Sequence, residues 1–199
     1  MPLDLFAALV VFAFVMAFTP GPNNILLAAS GVNFGFTRTI PHMAGVTFGF
    51  FILLAACAAG LGLVFTAVPV LHVALKVVGA AYMLWLAYKV ATAHLSGDAK
   101  APGRPFTFLQ AAAFQWVNPK GIVAAVSAIA LFVRPDHQLF DIPIMLAAFS
   151  ATTVGSVLTW SAFGVALRGL MREPARARIF NFAMAALLVV SILPMVRSA

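Results

Sequence analysis

The residues with the most chemistry to offer lie in two short stretches of an otherwise apolar chain. One is FTPGPNN, Phe18 to Asn24; the other is FQWVNPKGI, Phe114 to Ile122. Pro20, Pro22 and Pro119 each remove a backbone donor and crowd the preceding turn. Gly21 lets the chain leave helical geometry at little cost. Asn118, directly before Pro119, is pushed away from the α region, and Asn followed by Pro is an N-cap pattern. Each stretch therefore breaks a helix and opens a new helix N-terminus, with unpaired N–H groups and a partial positive charge. Such ends bind carboxylates. The half-helix before each break leaves free carbonyls that accept from an ammonium group. Asn23, Asn24 and Asn118 add amide donors and acceptors, and Lys120 adds a full positive charge. Together they suit a zwitterion such as an amino acid. The plainer alternative is that the prolines kink helices and the asparagines join them. Two breaks, one with a lysine, favour binding.

The elements that must hold these residues are membrane spans. The chain has 199 residues, 63% hydrophobic and 9% charged, against about 25% charged in soluble domains. Long apolar runs recur throughout, which predicts an integral membrane protein with no separate soluble domain. The opening MPLD carries an acid and no base, so the first apolar stretch reads as a retained helix and not a signal peptide. Cys57 is the one cysteine, which excludes a disulfide framework or a cysteine metal site. There is no H-E-x-x-H, no paired carboxylate and no Cys/His ligand set, so no metal, no cofactor and no enzyme activity is expected. A net charge of +7 could suggest nucleic acid. The bases fall between spans, however, so they set membrane orientation, and no nucleic-acid partner is expected.

The predicted fold is all-α, with six transmembrane helices arranged as two inverted three-helix halves, helices 1 and 4 being interrupted. The spans run from Leu5 to Phe36, Pro41 to Phe65, Pro69 to Thr92, Phe106 to Val133, Pro143 to Leu167 and Ile179 to Val196. Pro41, Pro69 and Pro143 are placed at helix starts, where a missing N–H does no harm. HLSGDAKAPGRP, His94 to Pro105, reads as a flexible loop dividing a single transporter domain, 1–199, into halves of about 1–93 and 106–199. One membrane face then carries Arg38, Lys89, Lys100, Arg104, Arg168, Arg172, Arg176 and Arg178, and the other Arg134, Arg197 and Lys76. The positive-inside rule makes the first face cytoplasmic and leaves both termini outside.

The first span, as one straight helix, would be roughly 48 Å long at about 1.5 Å per residue. The hydrocarbon core is about 30 Å thick, so an interruption is expected. A constant offset of 97 places Gly21 on Asn118 and Pro22 on Pro119, with Ile25 on Ile122, Ala28 on Ala125 and Ser30 on Ser127. Interrupted helices at matching places in two inverted halves point to a transporter's binding site. His42 opens the second span and, with Lys120, is a candidate for proton coupling. GVTFG, Gly45 to Gly49, allows close helix approach, within one chain or in a homo-oligomer.

TPGPNN and NPK resemble the signature of the LysE/RhtB family of amino-acid exporters. The resemblance spans essentially the whole chain. TPGPNNILLAAS, AGVTFGF and GAAYMLWLAYK look closest to its cysteine/O-acetylserine exporter branch. The resemblance implies export of small amino acids across the bacterial inner membrane by proton antiport. Homoserine/threonine or basic amino acids are alternative substrates, and a small-solute channel is a more distant reading. By carry-over, Pro20, Gly21, Pro22, Asn23 and Asn24 match the first motif, and Asn118, Pro119 and Lys120 the second. One departure stands out. Many family members carry an acid in the fifth span, where this chain has TTVGSVLTWSAFG, Thr152 to Gly164. Thr152, Thr153, Ser156 and Thr159 do not titrate usefully, so proton coupling would fall to a base.

Overall fold

A computed structural model describes residues 1–61, 69–92 and 104–192. Among them all regular structure is helical. The helices are α1 (Leu3–Phe18), α2 (Pro22–Phe34), α3 (Phe36–Ala56), α4 (Pro69–Ala91), α5 (Phe108–Phe114), α6 (Pro119–Phe132), α7 (Gln138–Leu167) and α8 (Pro174–Val190). Two helical stretches, Phe36–Gly60 and Pro135–Leu167, are long and apolar enough to cross a membrane. α1 and α2 pass the same test together as one span bent by 51°. Val77–Ala91 and Pro119–Phe132 are shorter apolar helices.

The predicted interruptions fall where local chemistry put them. α1 stops at Phe18, and α2 starts at Pro22 with Gly21 as its extended N-cap residue. α5 stops at Phe114, and α6 starts at Pro119 with Asn118 as its extended N-cap residue. The offset of 97 thus relates two real helix starts. α5 also has a start signal of its own. Thr107 Oγ1 accepts from the Gln110 N–H while the Gln110 side chain accepts from the Thr107 N–H, a capping box.

Other boundaries differ from expectation. Pro41 and Pro143 do not open their helices; each lies inside, at the sixth residue of α3 and α7. The carbonyls they leave without a donor belong to Thr37 and Leu139, both in exposed first turns, where other partners can reach. α3 can begin so early because Gly35, at φ 79°, turns the chain directly out of α2, a conformation that favours glycine. α8 begins at Pro174, so Arg176 and Arg178 belong to its first turns and not to a loop. The predicted end of the second span at Phe65, the loop to Gly103 and the end of the sixth span lie outside the described residues.

Small residues set the helix crossings. A Cβ on Gly31 would strike the Ser161 carbonyl oxygen, and one on Gly164 would strike that of Ala28, so α2 and α7 cross backbone to backbone. Gly45 and Gly49 face the backbone of Phe108 and Ala112 in the same way. The GVTFG pattern therefore packs α3 onto α5 within one chain. Leu9, Leu53, Leu54, Phe132, Met145 and Phe149 form one apolar cluster, and Ile25, Leu26, Met83, Leu86, Phe114 and Leu188 another. The outer faces are as apolar as the core: Val11, Phe14, Phe48, Val77, Phe163 and Ile179 are all exposed. Such a surface needs lipid as its solvent.

Candidate functional site

The first break leaves the last carbonyls of α1 without helical partners, and side chains from three other helices supply them. Asn24 Nδ2 donates to the Ala17 carbonyl at 2.8 Å and to the Thr19 carbonyl at 3.0 Å. Ser156 Oγ of α7 donates to the same Ala17 carbonyl at 2.6 Å. Lys120 Nζ of α6 donates to the Thr19 carbonyl. Asn24 and Ser156 are themselves buried. This is the negative end of α1, and one of its donors is a cation.

The second break is built differently. Gln115, Trp116 and Val117 donate backbone N–H groups to the carbonyls of Ala112, Ala113 and Phe114, each at 3.2 Å. The end of α5 thus satisfies itself by tightening its last turn. Neither Gly21 nor Asn118 caps its helix with a side-chain hydrogen bond. The positive ends of α2 and α6 therefore remain open. Asn118 Oδ1 is buried without a hydrogen-bond partner, an arrangement that is costly unless a ligand or solvent answers it.

These groups surround one cavity of about 60 Å³. Gly21, Asn23, Asn24, Asn118, Lys120, Thr153 and Ser156 supply its polar lining, and Met16, Val46, Phe50, Phe149 and Val157 the apolar walls. A single water needs about 10–15 Å³ measured this way, so the chamber suits only a small ligand. Concave, mainly apolar, with a few convergent polar groups, it has the character of a small-molecule site.

A larger cavity of about 570 Å³ lies between α2, α3, α4 and the start of α5. Ser30, Asn33, His42, Lys89, Arg104 and Gln110 line it. In sequence, a reciprocal amide pair falls among the residues that line the two cavities. Asn23 Nδ2 donates to Gln115 Oε1 at 2.8 Å, and Gln115 Nε2 donates back to Asn23 Oδ1 at 3.2 Å. Gln115 is fully buried and also donates to the Ala111 carbonyl at 2.8 Å. Along α2, Asn23 and Asn24 face the small cavity, and Leu26 to Phe34 the large one. Along the other chain segment, Gln110 faces the large cavity and Asn118 to Gly121 the small one. Gln115 falls between those two groups in sequence.

Five of the sequence-derived site residues, Gly21, Asn23, Asn24, Asn118 and Lys120, come together at one chamber. Pro22 and Pro119 are the first residues of α2 and α6 and shape the site without lining it. Pro20 is exposed in the break itself. His42 is elsewhere: fully buried, edge-on to Phe106 with ring centroids 5.0 Å apart, it lines the large cavity. Sequence reading missed Gln115 and Thr19. It noticed Ser156 and Thr153 but gave them no role; their i, i+3 spacing, which puts both on one helical face, was the available signal. Thr152 and Thr159 bond carbonyls of their own helix. Trp116 and Trp160 pack in apolar clusters.

Helices broken at matched positions around a small chamber with a few convergent polar groups, on a chain whose outside is apolar, have the character of a membrane transporter. The chain belongs to the family of LysE type translocators, whose model matches residues 14–193. It is 33% identical over 192 residues to the cysteine/O-acetylserine efflux protein of Escherichia coli strain K12, covering 93% of this chain and 94% of that protein. The cysteine/O-acetylserine efflux protein of Salmonella typhi is 34% identical with the same coverage. No solved structure matches the chain.

Proposed function

We propose that this protein exports a small neutral amino acid of the cysteine or O-acetylserine kind across the bacterial inner membrane, by proton antiport. The observation that carries the reading is the polarity of the small chamber. Two uncapped helix N-termini, at Gly21 and Asn118, and the carbonyl end of α1, at Ala17, all meet at it. A zwitterion matches both: its carboxylate at the α2 and α6 ends, its ammonium at the Thr19 carbonyl and Asn118 Oδ1. The chamber's size favours a small side chain. The full-length similarity to cysteine/O-acetylserine efflux proteins supports the same substrate class.

In this reading α1–α2, α3, α4, α5–α6, α7 and α8 are six spans in two inverted halves, with both termini outside. The large cavity, lined by Lys89 and Arg104, is the cytoplasmic vestibule. Substrate enters there, passes the Asn23–Gln115 pair and settles between the breaks. One half then moves against the other.

The test is efflux from proteoliposomes loaded with mixed amino acids that include cysteine and O-acetylserine. Each amino acid is followed by mass spectrometry, with and without an inward proton gradient. Selective loss of one or two of them, faster with the gradient, is expected. Loss no faster than from protein-free liposomes, with folded protein present, would overturn the reading.

A further inference from the structure

Lys120 occupies an odd place. It is the second residue of α6, at the positive end of that helix, where a cation is disfavoured. Its ammonium reaches away from α6 to the Thr19 carbonyl, at the negative end of α1. Gly21 makes the reach possible, because a Cβ there would stand 2.7 Å from Lys120 Cδ. The partner is a neutral carbonyl and not a carboxylate. Among the described residues, no acid, histidine or second base lines the chamber from α1, α2, α3, α6 or α7. Asp4, Asp136, Asp141 and Glu173 all lie at helix ends away from it. Of the carbonyls α1 leaves open, Ala17's is held by two neutral donors, and Thr19's by the Asn24 amide and the Lys120 ammonium.

We propose that the Lys120 ammonium is a tethered stand-in for the substrate's ammonium, and that the two cations compete for the Thr19 carbonyl so that binding one zwitterion expels one proton. This rests on the reading of the chamber as an amino-acid site. The Thr19 carbonyl already accepts from Asn24, so one lone pair is left for a cation, and two ammonium groups cannot both take it. When the zwitterion arrives, Lys120 Nζ gives its proton to water on the cytoplasmic side and keeps the lone pair. The substrate's N–H bonds then replace those of Lys120 on Thr19, and its carboxylate meets the α2 and α6 ends. On the outer side the zwitterion leaves, and Nζ takes a proton from outer water and returns to Thr19. Each cycle carries one amino acid out and one proton in, with one net positive charge moving inward. The exchange needs no acid in the fifth span.

The test is calorimetric binding of O-acetyl-L-serine and of L-cysteine under reductant to purified protein between pH 5.5 and 8. Buffers of two ionisation enthalpies count the protons released. About one proton released per ligand is expected, with affinity falling by up to about tenfold for each pH unit lowered. Lys120→Met should bind at least as tightly as wild type at low pH and release no proton. It should still exchange labelled for unlabelled amino acid but lose gradient-driven efflux. Lys120→Arg, which cannot shed its charge, should bind at least tenfold more weakly across the range. Wild-type binding without proton release would overturn the proposal and leave the amino-acid reading standing. So would loss of binding in a folded Lys120→Met, which would make Lys120 a carboxylate anchor. Absence of any amino-acid binding by wild type would overturn both. If Lys120→Met does not fold, the wild-type proton count still decides.

Discussion

The two breaks begin their second halves alike and end their first halves differently. Both downstream helices start with proline behind an extended residue that donates no side-chain cap. Upstream, α5 closes its own carbonyls with a tightened turn, whereas α1 leaves Ala17 and Thr19 to Asn24, Ser156 and Lys120. The second break therefore contributes donors and charge, and the first contributes acceptors. A zwitterion needs one of each. Two breaks built like the second would offer two positive ends facing two sealed ones, and nothing for an ammonium.

That contrast can be broken at its acceptor side first. Replacing Asn24 and Ser156 together by alanine strands the Ala17 carbonyl, and the pair shares one acceptor, so the effects should exceed the sum of the single changes. We expect a loss of about 3 kcal/mol or more, read as a fall in the melting midpoint of detergent-solubilised protein. Gln115→Ala comes next. It removes both bonds to Asn23 and the one to Ala111. A cost of about 1–3 kcal/mol is expected, together with efflux that no longer discriminates among small amino acids in the liposome assay. Unchanged selectivity would remove the amide pair from the substrate path.

The start of α1 and the segment after α6 are tied by one ionic cluster on Asp141, which sharpens the comparison by fixing α1 against α7. Asp141 is buried in the first turn of α7, before Pro143, and accepts from Arg134 Nε at 2.8 Å, Nη2 at 2.9 Å and the Arg134 backbone N–H at 3.1 Å. The N-terminal ammonium of Met1 is 4.0 Å away. Asp141→Asn removes the charge that Arg134 and the N-terminal ammonium approach, so it should cost about 1–2 kcal/mol, read as a lower melting midpoint of the detergent-solubilised protein. An unchanged midpoint would show that the cluster does not hold α1 against α7. The smallest effect on stability belongs to Asn118→Ala. Its Oδ1 makes no hydrogen bond, so the change should cost less than about 1 kcal/mol while efflux falls at least about tenfold. A large loss of stability would make Asn118 structural and weaken the assignment of the donor side.

The sequence alone located both breaks to the residue, because proline and glycine act through their own covalent geometry and need no distant partner. It also carried the apolar exterior and the five residues that meet at the chamber. It misplaced the starts of α3 and α7, because a proline near a helix start does not say how many residues precede it. Its boundary for α8 failed on the charges of Arg176 and Arg178, which helix ends tolerate well when their heads reach polar surroundings. Tertiary structure alone decided that Lys120 crosses from one break to the other, a link across 101 positions of chain. It alone paired Asn23 with Gln115 across 92 positions, and buried His42 against Phe106 at the wall of the larger cavity. Such partners are chosen by helix crossings, here the backbone contacts at Gly31, Gly45, Gly49 and Gly164. A glycine in a sequence announces only that something can come close; what comes close is settled when the helices pack.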